Sequence, residues 1–311
     1  MEKPLEKLWV SFLDSDRFRK FARQGIGHYF FRSDAYRYLR LAKNSVSSSV
    51  ATLIKPAQFR DVKTFCMFVG HNKSGTSMLG SLLDAHPNII LADEVGALEH
   101  AAAGFKRDQI FHLLLRGSRR ELLKGRVTAR RLTPYSYLVP GQWQGRFTKL
   151  QVIGDGKAGS STQQFAQNPH LLARLQAVMT GVDVKMVQVI RNPFDVISVM
   201  MVRGKRTFAN SIYYYFANCG SIIRLRQQLG EANLHAVRYE DFVLAPQENL
   251  ARLCNFLGVE PYDEYLQACA GIIRAEPDRS RHMVEWTPEW IKVVEDNLAR
   301  YEFLQGYSFE S

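Results

Sequence analysis

Lys73, Ser74, Gly75, Thr76 and Ser77 stand in one run, HNKSGTS, that follows a short apolar stretch (residues 64–69, TFCMFV). The next segment, MLGSLLDAHP, places Met78, Leu79, Leu82 and Leu83 at helical spacing before His86-Pro87 stops the pattern. A cation, three hydroxyls and a glycine at the start of a helix make an anion site. Backbone N–H groups gather at the positive end of the helix dipole, Gly75 lets the backbone approach closely, and Lys73 adds a point charge. A second run, VKMVQVIRNPFDVISVMM (residues 184–201), ends an apolar strand in Arg191 and starts a helix at Asn192-Pro193. Ser198 follows Arg191 by seven residues, about two helical turns, so both can serve one locus, and Arg plus a hydroxyl there suits a second, separate phosphate. The residue order argues against one ligand. A nucleoside-triphosphate loop, G-x-x-x-x-G-K-[ST], puts Lys after the second Gly and a hydroxyl on magnesium. Here Lys73 precedes Gly75, and no Gly-Lys-Ser/Thr occurs, so the loop fits a phosphate–sulfate anion better.

The elements that must position these residues read as alternating strands and helices. Strands are expected at 64–69, 89–92, 151–153, 184–190 and 234–237, with helices between them, which predicts an α/β fold with a parallel sheet and a helical C-terminal half. Thr287-Pro288 is a further helix start. The Tyr213-Tyr214-Tyr215 cluster is expected to serve helix packing.

Composition bounds the remainder. Of 311 residues, 46% are hydrophobic and 23% charged, which excludes a disordered chain or a small disulfide scaffold. Cys66, Cys219, Cys254 and Cys269 have no C-x-x-C or His partners at metal spacing, and are expected to be buried thiols in a reducing compartment. No export or spanning segment is visible, and a cytoplasmic location is expected. The net charge of +11 is uneven: residues 1–63 carry 13 basic and 6 acidic residues, residues 105–131 carry 9 and 2, and the rest is slightly acidic. The first segment holds Trp9, Phe12, Phe18, Phe21, Tyr29, Phe30, Phe31, Tyr36 and Tyr38 among its cations and is expected to be a helical extension (1–63) on a main domain (64–311), with SVSSS (45–49) as a linker. Peripheral contact with a membrane is a second use for it. The second segment is expected to form one or two helices with solvated arginines, and could attract an anionic acceptor.

Together the two runs resemble the sulfotransferases that use 3′-phosphoadenylyl sulfate (PAPS). Lys73-Ser74-Gly75-Thr76-Ser77 matches the family's 5′-phosphosulfate loop, [K/R]-S-G-T-[S/T], and Arg191-Asn192-Pro193-Phe194-Asp195 with Ser198 matches its 3′-phosphate motif, R-[N/D]-P-x-D-x-x-x-S. Val237-Arg238-Tyr239-Glu240-Asp241 resembles the V-R-Y-E-D segment in which the tyrosine lies by the adenine. The likeness spans about residues 64–306.

The resemblance implies in-line sulfuryl transfer, without a metal, that releases adenosine 3′,5′-bisphosphate. Lys73 would support charge on the bridging or leaving oxygen, and the loop would hold the 5′-phosphate. Glu94, 21 residues after Lys73, stands where the Golgi-type and tyrosylprotein-type enzymes carry their base; Asp93, His100 and His71 compete for that role. Lys157 resembles a second active-site lysine, or is a surface lysine. Ser280 and Arg281 lie in a stretch like the family's late loop over the cofactor. The acceptor class stays open among small molecules, lipids and glycans, and nucleic acid is not expected as a partner. A kinase-like phosphotransferase and a non-catalytic basic anion-binding module are the competing classes.

Overall fold

Residues 64–70 are buried at every position because both faces of their strand are covered. The computed structural model describes residues 33–127 and 135–311; Trp9 through Phe31 of the basic segment and residues 128–131 of the second lie outside the described residues. Five parallel strands form one sheet: β1 (Thr64–Gly70), β2 (Ile89–Ala92), β3 (Val152–Asp155), β4 (Asp183–Ile190) and β5 (Leu234–Arg238), in the order β2-β3-β1-β4-β5. All five expected strands are present, within two residues at each end.

Side chains of β1 alternate between two cores, as a period of two requires. Phe65, Met67 and Val69 join one cluster with Ile153 and Met186, while Cys66 and Phe68 join the other with Val187 and Leu91. Fully burying one such side chain stabilises by roughly 1.5–3 kcal/mol, which explains why this strand is apolar without interruption.

Among the described residues the helices before β4 are α1 (Asp34–Ile54), α2 (Thr76–Leu83), α3 (Ala97–Ala102), α4 (Arg107–Leu123), α5 (Ala158–Gln167) and α6 (Leu171–Val178). After β4 come α7 (Pro193–Gly204) and α8 (Phe208–Leu229), and after β5 come α9 (Tyr239–Leu244), α10 (Pro246–Leu257), α11 (Asp263–Ala270) and α12 (Pro288–Leu298). Asn192 caps α7, its side-chain oxygen accepting from the Phe194 amide at 3.0 Å, and Thr287 caps α12. Among the described residues no helix is long and apolar enough to cross a membrane.

Two expectations are corrected. SVSSS is not a linker but the middle of α1, because Ser48 Oγ donates to the Asn44 carbonyl (2.7 Å) and Ser47 Oγ to the same group (3.2 Å), which accommodates the hydroxyls within the helix. The arginines after residue 105 are not all solvated. Arg126 is buried and pairs with Asp84, which also accepts from Ser118 Oγ and from the amides of Leu91 (2.7 Å) and Gly145 (3.0 Å). The four cysteines are unpaired and buried, and burial pushes the Cys66 thiol up to about 12.

Register sets where the chain leaves the sheet. Gly70 lies opposite Val189, and Met67 lies opposite Asp155, which lies opposite Ala92. Gly154 makes this possible: a Cβ there would fall well under 3.0 Å from the Cys66 carbonyl oxygen in β1 and would also meet Leu91 in β2. Gly154→Ala is therefore expected to destabilise the protein by about 2 kcal/mol or more, seen as a lower Tm in calorimetry, whereas an unchanged Tm would mean the sheet can spread at no cost.

Candidate functional site

Each strand delivers one of the sequence-identified residues just beyond its C-terminal end. Glu94 follows β2, Lys157 follows β3, Lys73 follows β1, Arg191 follows β4 and Tyr239 follows β5. In the spatial order of the strands this is carboxylate, lysine, lysine, arginine, tyrosine. The connection after β1 runs one way to β2 and that after β4 runs the other way to β5, so a crevice opens between the Lys73 loop and Arg191, where open α/β sheets bind ligands.

The loop after β1 turns sharply. Gly75 has φ 97° and starts α2, and a Cβ there would lie 2.5 Å from Cδ2 of Tyr239, so the aromatic ring rests directly on the backbone of the loop. Ser74 is fully buried with an unpartnered Oγ, while Lys73 and Ser77 are exposed and Thr76 half-buried. Gly70 N–H donates to Thr162 Oγ1 (2.9 Å), which ties the loop to α5. Ser160 in the first turn of α5 has another buried Oγ without a partner. Sequence reasoning missed Ser160; the run of small residues AGSS after Lys157 is the signal that could have found it.

Arg191 joins the two sequence motifs. It is 6% exposed and donates from Nη1 to the Lys73 carbonyl (3.0 Å), and from Nη2 to Ser280 Oγ (3.0 Å) and the Asp278 carbonyl. Its guanidinium carbon lies 5.1 Å from the centre of the Tyr239 ring, and its Nε has no partner. Among the described residues the only carboxylate paired with it is that of Asp278, half-exposed at 3.8 Å. Burial pushes the Tyr239 hydroxyl up in pKa, against the opposing pull of Arg191.

Ser198 and Arg281 are placed differently. Ser198 is fully buried and its Oγ accepts from the Trp286 indole N–H at 3.0 Å. Arg281 is 2% exposed and donates to Asp195 from Nε (3.1 Å) and Nη2 (2.9 Å), with its Nη1 on carbonyls of Ser308, Phe309 and Ser311. Its donors are taken up by the fold. Glu240, beside Tyr239, accepts from the Asn192 amide (2.8 Å) and the Tyr307 hydroxyl (2.6 Å), and so braces the turn after β4.

At the other end of the edge, Asp155 holds the acidic loop. Its buried carboxylate accepts from the amides of Val95 (3.2 Å), Gly96 (2.7 Å) and Ala97 (2.7 Å), the first turn of α3. Burial pushes its pKa up, opposed by those amides and by Lys157. Glu94 is exposed with φ 54°, and Lys157 Nζ lies 4.0 Å from where a Cβ on Gly96 would stand. Asp93 is partly buried, and burial, with the charges of Glu94 and Glu121, raises its pKa to about 7.

The two histidines are engaged elsewhere. His71 is buried, stacks on Tyr215 with centroids 3.9 Å apart, and meets the Tyr215 carbonyl at 2.8 Å; burial lowers its pKa to about 4. His100 lies between the Gly96 carbonyl (2.8 Å) and Asn44 of α1 (3.1 Å), with its pKa lowered by burial. Within the tyrosine cluster Tyr215 packs internally as expected, whereas Tyr213 is exposed.

The model of the sulfotransferase family matches residues 67–264. No curated protein shows significant sequence similarity to the chain. Among solved structures, a sulfotransferase from Mycobacterium avium is 10% identical, covers 100% of this chain and 98% of its own, and has a TM-score of 0.50, in keeping with the sheet described above. A sulfotransferase from Alicyclobacillus acidocaldarius (16% identity, 80% of this chain and 98% of its own, TM-score 0.46) and a mouse sulfotransferase complexed with PAP (14%, 79% and 87%, 0.42) are further likenesses.

The raised Asp93 pKa has a consequence for stability. The folded form keeps a proton that the unfolded chain loses near its ordinary value of 3.8, so stability falls as pH rises from about 4 through about 7. Asp93→Asn is expected to flatten that part of the profile in denaturant titrations at several pH values; an unaltered slope would show that Asp93 ionises as in water.

Proposed function

The chain belongs to the sulfotransferase family, and from that premise we propose that it transfers the sulfuryl group of PAPS to a hydroxyl or amine of an acceptor. The observation that carries this reading is backbone strain. Among the described residues four non-glycines adopt a left-handed φ: Lys73 (75°), Glu94 (54°), Arg126 (52°) and Lys205 (51°). Arg126 sits in the buried pair with Asp84 and Lys205 ends α7. The other two are the residues with catalytic roles in the reading from sequence. Each left-handed residue costs about 1 kcal/mol or more, and such strain gathers at functional sites.

The residues present fit a phosphosulfate nucleotide. Ser74 Oγ and Arg191 Nε are buried polar atoms without partners, and they belong to the two loops that Arg191 ties together. A bound anion would satisfy both. When bound, PAPS supplies a sulfuryl group on a phosphosulfate linkage whose cleavage leaves a stable bisphosphate. The amides of residues 74–77 and the Ser74, Thr76 and Ser77 hydroxyls hold the 5′ side, and Lys73 sets its ammonium against the oxygen that gains charge. Arg191 holds the 3′-phosphate together with Ser280, the hydroxyl it already contacts, and with Ser198 on α7. Tyr239 offers its ring to the adenine. Arg281 is a positioning residue, keeping Asp195 and the late loop in place.

Glu94 takes the proton of the acceptor. Its exposure suits a group that must meet an incoming molecule, and Asp155 fixes its loop through three amides. Lys157, next to that loop, adds positive charge between the base and Lys73. Acceptors in this reading are small molecules, lipids or glycans. The four buried, unpaired thiols support a reducing, cytoplasmic setting.

Calorimetry with adenosine 3′,5′-bisphosphate, ATP–magnesium and a DNA oligomer is expected to give heat with the bisphosphate and little with the others; no heat with the bisphosphate sinks the reading. In a screen with labelled PAPS, Lys73→Ala is expected to lower kcat by about 10²–10³. Glu94→Gln is expected to lower kcat by about 10²–10⁴ while leaving bisphosphate affinity unchanged. A fully active Glu94→Gln enzyme would move the base elsewhere, first to Asp93.

A further inference from the structure

Helix α1 docks chiefly through polar contacts, with Leu41 packed against the core beside them. Its polar side docks on the domain: Arg37 Nε reaches Glu99 Oε1 (2.9 Å), Arg40 pairs with Glu99 Oε2, Asn44 meets His100 (3.1 Å), and Gln109 donates to Ser49 Oγ (2.8 Å). Arg116 of α4 donates to Ser47 Oγ (3.0 Å) and Asn44 Oδ1 (2.8 Å). Burial raises the Glu99 pKa, but the two arginines outweigh it and hold the carboxyl below its ordinary value, so the docking pair stays charged.

Other large apolar side chains of the helix face outward. Leu39, Val46, Val50, Leu53 and Ile54 are between 50% and 81% exposed. Positions 39, 46, 50 and 53 follow i, i+7, i+11 and i+14, one stripe along the helix. A surface helix ordinarily buries such a stripe and solvates its polar face. Among the described residues the reverse holds for this stripe, which leaves it open to another apolar medium.

The charge around it selects the medium. Residues 33–63 carry 6 basic and 2 acidic residues and residues 105–127 carry 7 and 2; with Arg37, Arg40 and Arg116 held in the docking contacts and Arg126 in its buried pair with Asp84, 4 and 5 cations are left for the surface. Contacts of α1 with α4 bring these two basic segments side by side. A second copy seated on the stripe would oppose two strongly positive faces, whereas an anionic bilayer satisfies both the stripe and the cations. We propose that α1 is an interfacial helix that seats the protein on an anionic lipid surface, its apolar stripe in the headgroup–acyl boundary and the flanking lysines and arginines among the lipid phosphates. This inference is independent of the catalytic reading.

Co-sedimentation of the full chain with phosphatidylcholine vesicles holding about one-third phosphatidylserine tests it, against pure phosphatidylcholine vesicles. Binding is expected only to the anionic vesicles and is expected to weaken steeply with salt. The double variant Val46→Asp, Val50→Asp keeps residues 1–32 intact and is expected to bind at least about tenfold more weakly, with an unchanged Tm. Leu53→Glu, at a more exposed position, is expected to act in the same direction and stands in if the double variant misfolds. The proposal is overturned if the wild type stays in the supernatant, or if the folded variants bind equally well. It is also overturned if light scattering shows a wild-type dimer that the variants convert to monomer, since the stripe would then serve a second copy.

Discussion

Everything at the candidate site depends on the in-phase parallel alignment of five strands. Because β1 runs level with β3 on one side and with β4 on the other, the five strand ends open on one edge of the sheet. Antiparallel pairing would send alternate loops to opposite edges, and Lys73 and Arg191 would part. The same constraint explains why the strands read as continuous apolar runs: a parallel sheet is covered on both faces, so only its ends can carry chemistry. The candidate side chains therefore stand one to three residues past the strands, where the backbone leaves its ladder. Left-handed conformations at Lys73 and Glu94 belong to that departure.

Two buried arginines show how charge is divided between fold and site. Arg281 faces Asp195 at 2.9 Å and spends its remaining donors on main-chain carbonyls, so its desolvation is matched by neutralising hydrogen bonds. Arg191 is as buried, yet leans on neutral oxygens and a half-exposed carboxylate at 3.8 Å, with Nε left over. Both carry a positive charge into a poorly solvated place, but only the second remains under-compensated. A site in that condition gains most from an incoming anion, which is why the motif arginine and the C-terminal arginine are not interchangeable despite their proximity along one network.

Much of this was legible in the sequence because the signals are local. Short runs of three to seven residues placed all five strands, Asn192-Pro193 and Thr287-Pro288 placed two helix starts, and the small-residue loop around Gly75 marked the candidate anion site. What escaped depends on partners distant in the chain. Asp155 looks like a strand-end acid until the amides of Val95–Ala97 arrive from another loop, and Arg126 looks solvated until Asp84 receives it. The serines at 45–49 look like a linker because their hydrogen bonds to preceding carbonyls are invisible in composition. Glu94 was singled out by resemblance alone; its backbone conformation adds a physical reason that no propensity scale contains.

The same long-range contacts tie the basic surface to the acidic loop. Glu99 receives Arg37 and Arg40 from α1, and it sits in α3, whose first turn is the one Asp155 holds. Where a Cβ on Gly96 would stand, Glu99 Oε2 lies 3.6 Å away and Lys157 Nζ 4.0 Å away, so the docking residue of α1 and the second lysine of the edge flank one glycine. A surface that receives α1 would thus come to rest beside the loop that carries Glu94. Surplus cations on exposed helices are screened within about 10 Å in salt solution and cannot replace Lys73 or Arg191 at the crevice. Their effect is confined to what lies against them, and that neighbourhood is the loop that carries Glu94.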